Sequence, residues 1–328
     1  MKPKILYTKI PLVLVHTGFF SIPRLKDLFE NFFQFETYDS HKSYPKNALF
    51  ISESWDLTVE ESEINSVMQQ HAITVRELHN RGKKIVINNL QEANYFEYKF
   101  KKPKNEIGHR LWNVNWFWYS ESFINKHRNY YGYTPVRRAN KLALMPMNFT
   151  RYHRDLLVNK LSSYLDRLLY SYRQHGIQLP NDEDFQSGGW DRFFNPDWYD
   201  STCFSVVTES YVDQRLLSEK TFKPIAFYHP FLILGHCGIL TDLKNMGFET
   251  FDNIFDESYD SEICMTTRCN IIVDNIKKFL DIEYVEIAQD TITQAKLQHN
   301  HDLFYNEKII TERVITEIIN PLIEYAET

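Results

Sequence analysis

The chain has 328 residues, of which 43% are hydrophobic and 15% aromatic, which is enough for one large core or two smaller ones, and the length favours two domains. No stretch reaches the roughly 20 apolar residues of a membrane span, and the apolar run after the first lysines is too short for a signal peptide. The four cysteines form no Cys-x-x-Cys pair, which argues against structural zinc and a disulfide framework. We therefore expect a cytoplasmic protein with reduced thiols and no membrane-spanning segment.

The charge is divided unevenly along the chain. The net charge of −6 by itself argues against a nucleic-acid-binding protein. Residues 1–150 carry 21 basic and 14 acidic side chains, a net of +7, whereas residues 151–328 carry 16 and 29, a net of −13. Such asymmetry indicates two lobes with different functions.

The N-terminal half alternates short apolar runs with amphipathic stretches. Strands are predicted at residues 11–17, 35–38, 48–52 and 83–89. One helix is predicted at 22–33, with its apolar residues on one face, and a second at about 58–80, opening on a capping box. This βαβ rhythm predicts a parallel sheet with helices on both faces.

The middle of the chain is irregular and aromatic, and regular elements return near residue 204. Residues 181–200 are rich in turn formers and predict a long loop. Strands are predicted at 204–209 and 231–235, separated by a helix that begins at Glu219 with Ser218 as its N-cap. Residues 284–325 predict two closing helices at the C-terminus.

The segment 204–235 carries the clearest chemical signal. A helix N-terminus offers unpaired N–H groups and a positive dipole end, which suits a diphosphate. Lys220 and Lys223 would add positive charge there. A carboxylate beside that site can accept hydrogen bonds from ribose hydroxyls, and Glu209 and Glu219 are the two candidates. The alternative is that Ser218 and Glu219 only cap the helix.

This segment resembles the donor-site motif of the α1,3-fucosyltransferases, in which one glutamate precedes a Glu-Lys pair at the spacing seen between Glu209 and Glu219. The resemblance implies that Glu219 holds the nucleotide ribose and Lys220 a phosphate. It also implies that Arg154, in a segment similar to the family's first helix after the inter-domain crossing, binds the diphosphate. Ser210 stands where the family has asparagine, so GDP and fucose are not strongly implied. The implied donor site comprises Arg154, Glu209, Ser210, Glu219, Lys220, Thr221 and Lys223.

The longer run from Thr208 to Asp260 also resembles uncharacterised glycosyltransferase-like proteins of tailed bacteriophages. Together the resemblances imply an α/β fold of two Rossmann-like lobes (GT-B-like) with closing C-terminal helices. The predicted bounds are an acceptor lobe at 1–147, a donor lobe at 148–305 and a closing helix at 306–328. The implied function is transfer of a sugar from a nucleotide-sugar donor to an acceptor hydroxyl.

A transferase with an inverting mechanism needs a carboxylate that removes the proton of the acceptor hydroxyl. Such groups lie beyond the carboxyl ends of parallel strands. Glu92 follows the strand predicted at 83–89, and Glu53 and Asp56 follow the one at 48–52. We favour Glu92, with Asp56 as the second candidate. A solvated loop carboxylate explains either one equally well.

The basic N-terminal half suggests a class of acceptor. Lysines and arginines cluster at 99–104 and 126–141, the second cluster being interleaved with tyrosines. Cations beside aromatic rings suit a polyanion such as DNA with a flipped base, whereas the alternatives are a solvated basic loop and a carbohydrate acceptor. The candidate acceptor-binding residues are Lys101, Lys102, Arg128, Arg137 and Arg138.

The sequence indicates neither a metal nor a cofactor. The acidic run 182–184 follows residues typical of a turn, which does not match the strand-end position of a metal-binding Asp-x-Asp motif. A P-loop motif is absent from the sequence, which disfavours a nucleotide-dependent kinase or ligase. A non-catalytic nucleotide-binding or virion protein remains the alternative to an enzyme.

Overall fold

The computed structural model describes residues 9–16, 23–52, 74, 77, 78, 80–87, 120, 139–180, 195–213, 215–280 and 290–328. The chain divides into two compact units, one made of Met1–Glu121 with Glu307–Thr328 and the other of Ser122–Asn306. The strand that ends at Met147, where the sequence placed the lobe boundary, belongs to the sheet of the second unit. Within the described residues, no helix is long and apolar enough to cross a membrane.

The first unit contains a parallel sheet with the strand order β2-β1-β3-β4. Its strands are β1 (Ile10–His16), β2 (Phe33–Thr37), β3 (Leu49–Ser52) and β4 (Lys84–Ile87). Helix α1 (Pro23–Glu30) connects β1 to β2. The four predicted strands are confirmed, although β2 begins two residues early, since Phe33 already pairs with Ile10 of β1. The helix predicted at 58–80 lies almost wholly outside the described residues.

The second unit contains another parallel sheet, with the order β6-β5-β7-β8. Its strands are β5 (Lys141–Met147), β6 (Leu168–Tyr172), β7 (Thr202–Thr208) and β8 (Phe231–Leu234). Among its described residues, the α-helices are α2 (Tyr152–Lys160), α3 (Pro196–Asp200), α4 (Glu219–Ala226), α5 (Ile239–Asn245), α6 (Met265–Lys278) and α7 (Thr291–Tyr305). Short 3₁₀ turns lie at Ser162–Arg167, Arg173–His175 and Ser258–Asp260.

The predicted α/β class is therefore confirmed in both sheets, but the sequence analysis missed several elements of the second unit. Strands β5 and β6 and helices α5 and α6 were not predicted. The predicted strands at 204–209 and 231–235 correspond to β7 and β8, and α4 begins at Glu219 as expected.

Of the two closing helices predicted within 284–325, the first corresponds to α7 and the last to a helical run that contains a wider turn. That run comprises α8 (Glu307–Arg313) and α9 (Asn320–Glu327), with a π-helical turn at Val314–Ile319 between them. The apolar residues at helical spacing are all buried, namely Ile310, Val314, Ile318 and Leu322. Lys84 Nζ donates a hydrogen bond of 2.6 Å to the carbonyl of Ala326, which joins α9 to β4.

Aromatic side chains fix α4 against its neighbours in the second unit. Phe222 on α4 is fully buried and stacks on Phe304 of α7 with ring centroids 5.7 Å apart. On the sheet, Phe204 of β7 makes an edge contact of 5.2 Å with Phe255. Large buried rings dominate core energetics, so the contact between Phe222 and Phe304 holds α4 against α7.

Candidate active site

The second unit has a cleft along one face of its sheet, leading to the carboxyl ends of β5 and β7. It encloses about 920 Å³ of empty space, open solvent included. The residues that line it are Leu144, Pro146, Met147, Asn148, Ser171, Arg173, Leu179, Trp198, Tyr199, Ser205, Val207, Thr208, Glu219, Lys220, Lys223 and Pro224. Ligands of open parallel sheets bind at this carboxyl edge. The cleft combines a mostly apolar floor with a charged rim, as small-molecule sites commonly do.

The charged rim is built on the first turn of α4. Ser218 caps the helix, and its Oγ accepts a hydrogen bond of 3.3 Å from the Lys220 N–H. Glu219 is only 4% exposed, and its Oε1 accepts a hydrogen bond of 2.7 Å from Lys220 Nζ. Burial alone would raise the pKa of Glu219, but the ammonium groups of Lys220 and Lys223 outweigh it and hold that pKa below its usual value. The cleft therefore presents a carboxylate that stays ionised while buried.

The buried carboxylate of Glu209 binds the first turn of α4, which carries the charged rim. This carboxylate accepts hydrogen bonds from the Ser218 N–H (2.9 Å), Ser218 Oγ (2.6 Å) and Thr221 Oγ (2.6 Å). The Ser210 N–H adds a fourth bond of 3.3 Å. Because both carboxylate oxygens are occupied by the chain itself, Glu209 fixes α4 to the end of β7. Ser210 and Thr221, predicted as donor-binding residues, belong to the same network.

Arg154 is buried in α2, and the hydrogen bonds of its guanidinium are to main-chain carbonyls. Its side chain donates to Phe149 O (2.8 Å), Thr208 O (2.9 Å) and Glu209 O (3.2 Å). The residue is 2% exposed, and burial lowers the pKa of its guanidinium. In this position Arg154 connects the loops that follow β5 and β7. Binding of a diphosphate by Arg154 stays a prediction.

His153, which precedes Arg154 on α2, binds the same main-chain carbonyl of Glu209. Its Nε2 lies 2.9 Å from Glu209 O, and a carbonyl can only accept, so Nε2 carries the proton. Burial lowers the pKa of His153 to about 4, so the ring is neutral at neutral pH. The carbonyl of Glu209 thus receives bonds from two side chains of α2.

The loop between β7 and α4 is anchored on α5. Asp242 accepts hydrogen bonds from Arg215 Nε (2.6 Å) and from His236 Nε2 (2.8 Å). The other ring nitrogen of His236 accepts from the Leu216 N–H at 3.2 Å. Burial would raise the pKa of Asp242, but the hydrogen bonds from His236 and Arg215 hold it below its usual value. These contacts hold the residues just before Ser218 in one conformation.

The structure brings together only some of the predicted site residues. Of the residues predicted to bind the donor, Glu219, Lys220 and Lys223 line the cleft. The sequence analysis did not name the other polar lining residues, which are Asn148, Ser171, Arg173, Ser205 and Thr208. Of these, Thr208 directly precedes Glu209 at a predicted strand end and could have been found. Arg173 follows β6, a strand that was not predicted.

The candidate base and acceptor residues lie outside the part of the chain that the structure describes. These are Asp56, Glu92, Lys101, Lys102, Arg128, Arg137 and Arg138. Glu53 and the acidic run 182–184 lie outside it as well. Among the described residues, no group of three or more His, Cys, Asp or Glu side chains is arranged to hold a metal ion. Metal independence stays a prediction.

The sequence matches no protein-family model and no curated protein. Among solved structures, a crystal structure of an α1,3-fucosyltransferase aligns with a TM-score of 0.50 at 10% identity, over 99% of this chain and 93% of that chain. The chain has the fold of an α1,3-fucosyltransferase. This likeness confirms the predicted GT-B-like class.

Two further α1,3-fucosyltransferase structures align less well. One, with GDP-fucose, has a TM-score of 0.42 at 12% identity, over 99% of this chain and 94% of that chain. The other, with GDP, has a TM-score of 0.40 at 11% identity, over 95% and 93%.

Proposed function

We propose that this protein is a glycosyltransferase that takes its sugar from a nucleotide-sugar donor bound in the cleft of the second unit. The observation that carries the proposal is the buried, ionised Glu219 beside Lys220 at the start of α4. A buried carboxylate in a cleft, with its pKa shifted by specific charged neighbours, is a candidate for a functional site. The fold shared with an α1,3-fucosyltransferase supports the same conclusion.

Each charged group of the rim has a role in this proposal. The Glu219 carboxylate accepts hydrogen bonds from the ribose hydroxyls. Lys220, Lys223 and Arg173 lie along the same cleft and surround the diphosphate with positive charge. The N-terminus of α4 adds its dipole, and together they stabilise the charge that develops on the leaving diphosphate.

The transfer itself requires a base and an acceptor. The acceptor oxygen forms a bond to the anomeric carbon as the bond from that carbon to the diphosphate oxygen breaks. The diphosphate leaves with the electron pair, and the hydroxyl proton passes to a carboxylate. We propose Glu92 or Asp56 for this carboxylate, from their sequence positions after predicted strands.

For the acceptor we propose a polyanion, with a base of phage DNA as the leading candidate and a glycan as the alternative. Support comes from the basic and aromatic clusters at 99–104 and 126–141. Binding to duplex DNA should weaken as salt rises, and Arg137→Glu with Arg138→Glu should abolish it while donor binding persists. Transfer to a neutral saccharide that ignores these substitutions would favour a glycan acceptor.

The donor is tested by a thermal-stabilisation screen of nucleotide sugars, followed by mass spectrometry of candidate acceptors mixed with the stabilising donor. We expect one nucleotide sugar to raise the melting temperature and to be consumed in the presence of its acceptor, with EDTA making no difference. Stabilisation without turnover of any acceptor would support a non-catalytic nucleotide-binding protein. Turnover that needs added manganese or magnesium would contradict the metal-independent mechanism.

A further inference from the structure

Ser205 places a hydroxyl group in the apolar floor of the cleft, and its hydrogen-bonding direction is fixed by the fold. Ser205 lies on β7, is 3% exposed and lines the cleft. Its Oγ lies 2.7 Å from Nδ1 of His229, a residue that is fully buried. Which of the two atoms donates depends on where the imidazole carries its proton.

The surroundings of Nε2 decide that question. Nε2 of His229 lies 3.0 Å from the Thr202 carbonyl, which can only accept. It also lies 3.4 Å from Thr202 Oγ, whose own proton is donated to Trp198 O at 2.7 Å. Both neighbours therefore accept, so Nε2 carries the proton. Burial favours a neutral ring, and in a neutral imidazole the other nitrogen, Nδ1, accepts.

Ser205 consequently donates its only hydroxyl proton to His229. The Ser205 oxygen then has only lone pairs to offer, so within the cleft Ser205 can accept a hydrogen bond but cannot donate one. The nearby Ser171 differs, because its hydroxyl both donates to Met147 O (3.2 Å) and accepts from Met147 N (3.1 Å).

The surfaces around Ser205 suit a flat, mostly apolar group. Leu144 and Val207 contribute the sheet side of the cleft, and Trp198 and Tyr199 lie along it as well. Tyr199 is stacked on Phe227 with centroids 4.6 Å apart, and Trp198 Nε1 donates to Pro180 O at 2.8 Å, so both rings are held in place. A nucleotide sugar has one such group, the nucleobase, and its charged diphosphate belongs at the rim with Lys220.

We propose that Ser205, oriented by His229, is a specificity-determining residue that accepts a hydrogen bond from an N–H of the donor's nucleobase. The proposal rests on the proposed function, because it requires the cleft to hold a nucleotide. Ser205 selects bases that present an N–H into the floor of the cleft. His229 is a positioning residue that acts through Ser205. The buried Thr208 Oγ also lines the cleft, and among the described residues it has no hydrogen-bond partner.

The test compares Ser205→Ala with Ser261→Ala, a control at an exposed serine outside the cleft. Calorimetry with GDP, ADP, CDP and UDP identifies the nucleotide that wild type prefers, and ribose 5-phosphate serves as a probe without a base. We expect Ser205→Ala to weaken binding of the preferred nucleotide roughly ten-fold or more, since a buried N–H is left without its acceptor. Ribose 5-phosphate binding should be unchanged, and Ser261→Ala should leave the base preference as in wild type.

Nitrogen-15 NMR of His229 gives a readout that does not depend on how the variants fold. We expect an unprotonated Nδ1 and a protonated Nε2 in the wild-type protein. A protonated Nδ1, or unchanged nucleotide affinity in a folded Ser205→Ala, would overturn the proposal. If Ser205→Ala binds nucleotide like wild type while Glu219→Gln binds it weakly, the proposal that Ser205 selects the base is wrong. The proposal that the cleft binds a nucleotide is then retained. If no nucleotide binds wild type, the proposed function fails with it.

Discussion

At the scale of single residues, burying the ionised Glu219 side chain is by itself unfavourable for folding. Removing an ionised carboxylate from water costs several kcal/mol unless it is paired and hydrogen-bonded. Here Lys220 supplies a partner at 2.7 Å, and Lys223 lies one turn further along the same helix. Replacing such a buried pair by apolar side chains is often neutral for stability, so stability alone does not explain its presence. The nucleotide-sugar donor that we propose would use both charges.

Lys220→Ala should weaken binding of nucleoside diphosphates roughly 10- to 100-fold, the cost of about 1.5–3 kcal/mol for one charge-assisted hydrogen bond. The substitution also removes the chief attraction that lowers the pKa of Glu219. Calorimetric titration measures the affinity. Lys277→Ala, which removes an exposed lysine 3.5 Å from Asp274, is the matched control and should bind like wild type. Equal affinities for all three proteins would remove Lys220 from the donor site.

His301 makes the stability of the protein depend on pH. The ring is buried and stacks on Tyr228 at 4.0 Å. Among the described residues neither ring nitrogen has a hydrogen-bond partner, and Asp302 Oδ1 lies 3.8 Å from Nδ1. Burial lowers the pKa of His301 from 6.5 to about 4. As pH falls from 6.5 to 4, the unfolded chain therefore binds a proton that the folded chain does not. The free energy of unfolding falls across that window and levels off below it.

His301→Phe should reduce this loss by about 1–3 kcal/mol, because a phenyl ring keeps the stacking and does not titrate. Chemical denaturation at pH 7, 5.5 and 4 measures it. Part of the pH dependence should persist in the variant, since burial also lowers the pKa of His153 to about 4. A variant with the same pH dependence as wild type would show that His301 does not contribute.

At the scale of elements, the N-terminus of α4 depends on one buried carboxylate from the preceding strand. Glu209 lies just past the end of β7 and is fully buried. It binds Ser218 through main chain and side chain and Thr221 through its hydroxyl. The helix start is therefore set by the strand end, so the position of Glu219 follows from that of Glu209. The ten-residue spacing of the motif therefore separates the glutamate at the strand end from the glutamate at the helix start.

Glu209→Gln should destabilise the protein by about 1–3 kcal/mol, because the amide nitrogen would face hydroxyl and N–H donors. It should also weaken nucleotide binding, since the first turn of α4 loses its anchor. Urea denaturation and calorimetry measure the two effects. Glu262→Gln, at an exposed carboxylate bonded to the Cys264 N–H, is the control and should change neither by more than a few tenths of a kcal/mol. Unchanged stability in Glu209→Gln would contradict the anchoring role.

At the scale of the whole molecule, the sequence predicted the first sheet better than the second. The strands β1, β3 and β4 are short apolar runs bounded by turn residues, which periodicity detects. Strand β5 was missed because Pro146 argues against a central strand. The structure accommodates it, since the pairing of β5 with β7 ends at Leu144. Helix α6 was missed despite a readable signal, as its buried residues Cys269, Ile272, Val273 and Ile276 recur at helical spacing.

Only those residues of the candidate site that are neighbours in the sequence could be predicted from it. Ser218, Glu219 and Lys220 follow one another, and their helix-start pattern is visible without a structure. Ser205 and His229 meet through the pairing of β7 with β8, and Arg154 reaches Thr208 across the fold. No local pattern encodes such contacts. The same reason explains why Arg154 resembles a phosphate ligand in sequence yet lies buried against carbonyls.

The measurement that tests the account most directly is calorimetric titration of the stabilising nucleotide sugar into wild type and Glu219→Gln. The substitution keeps the size of the side chain and removes the negative charge that we assign to the ribose. We predict one site per chain in wild type and an affinity reduced roughly 10- to 100-fold in Glu219→Gln, with Asp274→Asn unchanged. The absence of a binding nucleotide sugar, or equal affinity in Glu219→Gln, would contradict the assignment of this cleft as the donor site.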